Sequence, residues 1–233
     1  MARQDRALRT RRAIFEGAAT VFDERGYEST TISEILERAE VTRGAFYFHF
    51  PSKEDLARHV LAAAVTTDGV PENRLKLQQL VDTLLLLAHR MPHEPMLRAA
   101  LRMSVDLESQ RLFGTRWPDW TSLLADLLRE ACERGEIYQH VDEDETARLL
   151  VCSWTGVRVV CEGLPEEYDL AQEVAKLLHL ILPAIAVPLV LAKLEVSAER
   201  AAELYAGLSL AGTEPAGARR DDEEPSERPH PNG

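Results

Sequence analysis

"TRGAFYFHFPSKEDL", residues 42–56, packs Phe46, Tyr47, Phe48 and Phe50 together with His49, Arg43, Lys53 and Gly44 into one short segment. Aromatic residues at this density belong to a core, but the polar groups interleaved with them would each need a partner if buried. The segment therefore has to be half buried and half presented to something else. Thr42 stands where an N-cap stands, before a short apolar run, and Ser52 with Asp55 has the spacing of a second cap. This predicts a short helix from about residue 43, a tight turn at Pro51, and a new helix from about residue 53.

Upstream, Ile14, Ala18, Val21 and Phe22 recur at helical spacing, and Gly26 is placed to end that helix as its C′ residue. "TISE" follows, where Thr31 and Glu34 have the spacing of a capping box and start a helix to about Ala39. Two short helices joined through Glu40 and Val41 have the proportions of a helix-turn-helix. In that motif the N-terminal end of the second helix lies nearest the bases of the major groove. Gly44 would then remove a side chain where backbone approaches phosphate, and Arg43 would reach a base edge or phosphate. Tyr47 and His49 would bond phosphate oxygens, with Lys53 at the next helix start and Thr31 and Thr42 at the two N-termini. Ala45, Phe46, Phe48 and Phe50 would form the buried half. On spacing alone, a plain buried turn between helices competes with this reading.

Beyond the break at 66–73 the helices lengthen, to about 75–90, 95–107, 117–134, 143–162, 166–182 and 198–208. No run of period-two alternation interrupts them, so the fold class is all-α. The expected organisation is a helix-turn-helix domain over 1–60, a second helical domain over 75–211 and a disordered tail over 212–233. That tail is rich in proline and charge and has no large apolar residue. Helix 143–162 is apolar nearly all round, "ARLLVCSWTGVRVVC", and needs cover on both sides. One side can face its own core. The other calls for a second subunit or a ligand.

The chain carries a net charge of −12. Residues 1–60 hold equal numbers of basic and acidic side chains, so all of that excess lies on residues 61–233. The first twelve residues carry five arginines against Asp5, a locally basic end that orients an acidic body toward a polyanion. The stretch 174–194 contains Lys176, His179, Pro183, Pro188 and Lys193 and is too interrupted to span a bilayer. It reads as a buried helix ending near Pro183. The N-terminus lacks the apolar run of a signal peptide, and Cys132, Cys152 and Cys161 show no C-x-x-C spacing. A cytoplasmic protein with no membrane partner is the expectation. No nucleophile elbow, zinc-helix motif, phosphate loop or dinucleotide fingerprint is present, so no enzyme, cofactor or metal is expected.

"GYESTTISEILERAEVTRGAFYFHFPSKEDL" resembles the DNA-binding domain of the TetR family of repressors, over residues 8–61. The run Phe48-His49-Phe50, Lys53-Glu54 and Leu56 is the specific part. Glu40 departs from the family's usual turn glycine. In a left-handed conformation that side chain would cost about 1 kcal/mol. The resemblance implies a homodimer on an inverted-repeat operator, with a ligand pocket among the long helices. "YFHFPSKEDLA", "RWPDWTSLL" and "WTGVRVV" are similar to the γ-butyrolactone receptor branch of that family. In that branch a pocket Trp and a helix Thr contact the signal, implying Trp120 and Thr155 here. Trp117 reads as a packing residue. A Gln usual after the fourth helix's "LA" is replaced by Ala64, which leaves open the related pseudo-receptors that respond to antibiotics.

Overall fold

The computed structural model describes residues 2–211, and the expected tail 212–233 lies outside them. The helices are α1 (Ala2–Arg25), α2 (Ile32–Ala39), α3 (Arg43–His49), α4 (Lys53–Ala63), α5 (Lys76–Arg90) and α6 (Pro95–Val105). They continue as α7 (Leu107–Phe113), α8 (Trp117–Glu133), α9 (Glu143–Gly163), α10 (Leu170–Ile185), α11 (Pro188–Leu191) and α12 (Ala198–Ala211). Among the described residues the only β pairing is an isolated bridge between Ile137 and Ala186. The fold is all-α.

Local chemistry sets the N-terminal boundaries. Gly26 ends α1 at φ 78°, and its N–H bonds Phe22 O at 2.9 Å. Thr31 and Glu34 form the reciprocal capping box, while Thr42 and Ser52 accept from the backbone of Ala45 and Asp55. Glu40 takes the left-handed turn conformation at φ 53°, the strained non-glycine position that the sequence marked. Ile14, Ala18 and Phe22 of α1 close with Ile35, Phe46, Phe50, Leu56 and Val60 into one buried cluster. Phe48 is a correction. It is 79% exposed, because residues 46 and 50 lie one turn apart on the buried face and residue 48 falls on the opposite one.

Farther along, single-residue boundaries move. The expected helix 95–107 breaks at Asp106, whose extended backbone ends α6 and whose carboxylate accepts from Ser109 N at 2.8 Å to start α7. The expected 166–182 helix begins at Leu170, under the cap of Asp169, and runs through Pro183 to Ile185.

The long helices are tied by contacts between residues remote in sequence. Leu75 provides no side-chain cap for α5. Buried Glu136 supplies one from the turn that follows α8, accepting from Lys76 N at 3.1 Å and Leu77 N at 2.8 Å. Asp82, fully buried on α5, receives a two-pronged ion pair from Arg200 of α12 at 2.6 and 2.7 Å. Gln78 closes that network by donating to Asp82 at 2.7 Å and bonding both backbone groups of Glu195.

This pairing fixes an asymmetry that can be measured. Arg200→Ala strands a carboxylate out of water and should cost about 3 kcal/mol in chemical denaturation. Asp82→Ala leaves Arg200, whose side chain is 18% exposed against 0% for Asp82, still paired with Glu195 and should cost less. Equal losses would contradict the burial pattern.

Candidate nucleic-acid interface and ligand cleft

The second helix of the motif presents one exposed edge. Thr42, Arg43, Gly44 and Tyr47 are all exposed there, and His49 is half-buried behind Phe48, ring centroids 5.0 Å apart. The Arg43 guanidinium lies 5.9 Å from the Tyr47 ring centroid, so the two residues share one side of the edge. A side chain at Gly44 would meet nothing within 4 Å. The fold therefore does not need glycine at this position, although glycine in a helix costs about 1 kcal/mol relative to alanine.

Thr31 is exposed at the start of α2, but its hydroxyl is held in the capping box with Glu34. The Thr31 backbone N–H, followed by its hydroxyl, holds the Glu34 carboxyl below its ordinary value. Lys53 is engaged within the fold. Its ammonium donates to Tyr27 O at 2.9 Å and Thr30 O at 2.8 Å, and lies 4.1 Å from the Tyr27 ring centroid. Burial pushes its pKa down, opposed by Glu28 and Glu34. A phosphate contact from Lys53 requires it to exchange these bonds. Arg11, which the sequence showed only as part of a basic stretch, sits with its guanidinium 5.2 Å from the Phe50 ring centroid. The basic start of α1 thus flanks the C-terminal end of α3.

A second site lies among the long helices. Leu84 and Leu87 of α5, Leu101 of α6, Trp117, Trp120 and Leu124 of α8, and Val151, Trp154 and Thr155 of α9 line a tight cleft with about 20 Å³ of free space. Its lining has the apolar character of a small-molecule pocket, and the roomier space, about 830 Å³, is the groove that adjoins it. Trp120 and Thr155, thirty-five positions apart, meet in its wall. All three tryptophans of the chain are there. Trp154 reaches the wall by donating its indole N–H to Leu84 O at 3.2 Å, a contact across seventy residues with no local signal. Thr155 donates its hydroxyl to Val151 O at 2.8 Å, leaving only acceptor capacity for a ligand. A wider groove between α8 and α9 shares Trp117, Val151 and Thr155 with the cleft and runs past Pro118, Cys152, Gly156 and Val159. Ala64 lines neither.

The two sites are joined through packed side chains. Arg98 of α6 pairs with Asp23 of α1 at 2.8 Å, and Arg102 donates to Asp23 O. Phe113, at the end of α7, stands edge-on to Tyr27 at 4.7 Å, with Arg58 of α4 5.7 Å from its ring centroid. Gly114 follows at φ 71°, ψ −158°, a conformation open to glycine alone, and turns the chain directly into the cleft wall at Trp117. No helix among the described residues is long and apolar enough to cross a membrane, and no cluster of metal-ligating side chains occurs among them.

Residues 14–60 match the family described as bacterial regulatory proteins, tetR family, and residues 75–188 match the tetracyclin repressor-like C-terminal domain. The A-factor receptor protein of Streptomyces griseus is 41% identical over 196 residues, 84% of this chain and 70% of that protein. Full-length TylP, a TetR regulator from Streptomyces fradiae, is 40% identical with a TM-score of 0.77, over 89% of this chain and 93% of that one. The structure of an ArpA-like γ-butyrolactone receptor is 33% identical with a TM-score of 0.66, over 87% of this chain and 99% of that one. With a helix-turn-helix presenting an open edge and a tryptophan-walled cleft behind it, the chain belongs to the TetR family of DNA-binding regulators, which are not enzymes.

Proposed function

We propose that this protein is a cytoplasmic repressor that binds an inverted-repeat operator as a homodimer and is released by a small γ-butyrolactone-type signal, controlling genes of antibiotic or other secondary metabolism. The observation that carries the reading is the cleft: an apolar pocket walled by every tryptophan of the chain and joined to the DNA-reading helices through Asp23 and Phe113. The likeness to the A-factor receptor and to a γ-butyrolactone receptor supports the class of signal. Ala64, the position that departs from the receptor branch, is not part of either wall, so it does not favour an antibiotic ligand.

The DNA-facing set is Thr31, Thr42, Arg43, Gly44, Tyr47 and His49, with Lys53 holding the turn beneath them. The dimer face is the outer side of α9 with α10. Ala147, Leu150, Trp154 and Cys161 of α9 turn inward, while Leu149, Val159 and Val160 are about half exposed and Leu180 of α10 is 79% exposed. A two-fold pairing through these helices sets the spacing of the two reading helices, which must match successive major grooves about 34 Å apart. A signal releases the operator only by favouring a conformation with a different spacing. Moving the dimer from almost wholly competent to almost wholly incompetent takes about 5.5 kcal/mol of differential affinity.

Two substitutions separate reading from sensing. Gly44→Ala should raise stability by about 0.5–1 kcal/mol, because nothing in the chain opposes a methyl group there, and yet weaken operator binding in a gel shift. Trp120→Ala should leave a dimer that binds its operator and is no longer released by a synthetic γ-butyrolactone. Unimpaired DNA binding by Gly44→Ala would remove the assignment of that edge. Normal release of Trp120→Ala would move the pocket elsewhere.

A further inference from the structure

The cleft's polar groups are unequally committed. The Trp154 indole N–H is spent on Leu84 O, and the Thr155 hydroxyl proton on Val151 O. The Trp117 indole nitrogen is different: it is buried and has no hydrogen-bond partner. Trp117 also stands, with Val151 and Thr155, in both the cleft and the wider α8–α9 groove. An indole N–H is a donor only, so it cannot be satisfied by accepting a proton instead. Native folds seldom leave such a donor unsatisfied, so an open one beside a ligand cleft calls for a partner.

We infer that the Trp117 Nε1–H is the donor that recognises the signal, and that the ligand therefore carries a carbonyl-type acceptor at the end lying against Trp117. This rests on the reading of the cleft as the signal site. The apolar remainder of the ligand lies along Leu84, Leu87 and Leu101. Thr155, with only lone pairs to offer, accepts from any ligand hydroxyl that comes within reach. Recognition then has two levels. The leucines and Trp120 select for apolar bulk, and Trp117 rejects a molecule of the same shape without the acceptor, because binding it would leave the donor buried and unpaired.

The test is a matched pair of ligands on the full-length dimer: γ-undecalactone and its carbonyl-free counterpart, heptyltetrahydrofuran, titrated calorimetrically. The parent protein should prefer the lactone by about tenfold, the ratio one net hydrogen bond supports. In Trp117→Phe, which keeps an aromatic ring and removes the N–H, lactone affinity should fall about tenfold. Affinity for the ether should hold, so that the preference collapses toward one. The melting temperature of Trp117→Phe without ligand should not fall, since the lost donor had no partner in the free protein. A lactone preference that persists in Trp117→Phe overturns the inference, and so does a fall in melting temperature with the preference intact, which makes the indole a packing group. If Trp120→Ala then loses both ligands alike, the cleft remains the signal site and only the Trp117 role is lost. Failure of the parent dimer to bind either molecule contradicts the reading of the cleft itself, and the inference with it.

Discussion

Asp23 is where the two halves of the chain meet. It lies near the C-terminal end of α1, the helix against which the helix-turn-helix packs, and α6 grips it twice: Arg98 takes the carboxylate, and Arg102 takes the backbone oxygen. Arg98 also donates to Met91 O and Pro92 O, so the same guanidinium ties the end of α5 to α1. Charge-assisted bonds of this kind are stronger and more directional than apolar contacts. A shift of α6 is therefore passed to α1 as a movement of the whole helix and is not absorbed by sliding side chains. Leu101, one residue before Arg102, lines the cleft. Cleft wall and DNA-domain clamp are neighbours on one helix.

A second connection runs in parallel through α7. Its Phe113 contacts Tyr27, whose carbonyl and ring both engage Lys53 at the start of α4. On the far side, Gly114 delivers the chain to Trp117 with a backbone conformation that only glycine holds without strain. Both connections leave the cleft from α6–α8 and arrive at the base of the helix-turn-helix. Close-packed interiors transmit displacement because they have few alternative arrangements. On the proposed reading, these two routes are how an occupied cleft would act on the spacing of the reading helices.

What could be read from the sequence follows the range of the interactions. The capping box at Thr31 and Glu34, the caps at Thr42 and Ser52, and the terminator at Gly26 are set by residues three or four apart, and the structure places them as the sequence indicates. The aromatic alternation Phe46, Phe48, Phe50 was misleading because it has the period of a strand inside a helix, and the helix turns Phe48 outward. The break at Asp106 was hidden because one residue both ends α6 and starts α7. Glu136 capping α5 and Arg200 pairing with Asp82 join residues too far apart in sequence for any local pattern to announce them. In the cleft, Trp120 and Thr155 were legible only through family resemblance. Trp117, read as a packing residue, and Trp154 took their places once α5, α8 and α9 were packed together.

The central claim is that occupancy of the cleft and occupancy of the operator oppose each other. Binding linkage makes this reciprocal: a signal that weakens DNA affinity by some factor must itself bind the DNA-bound protein more weakly by the same factor. The three tryptophans in the cleft wall provide the readout, because every indole of the chain borders the site. Intrinsic fluorescence titration with a synthetic γ-butyrolactone should be run on the free dimer and on the dimer saturated with its operator. The account predicts a saturable change in both and an affinity at least about tenfold lower on DNA, the size of an ordinary allosteric coupling. Equal affinity in the two titrations would contradict it, since a ligand that does not distinguish the two states cannot release the operator.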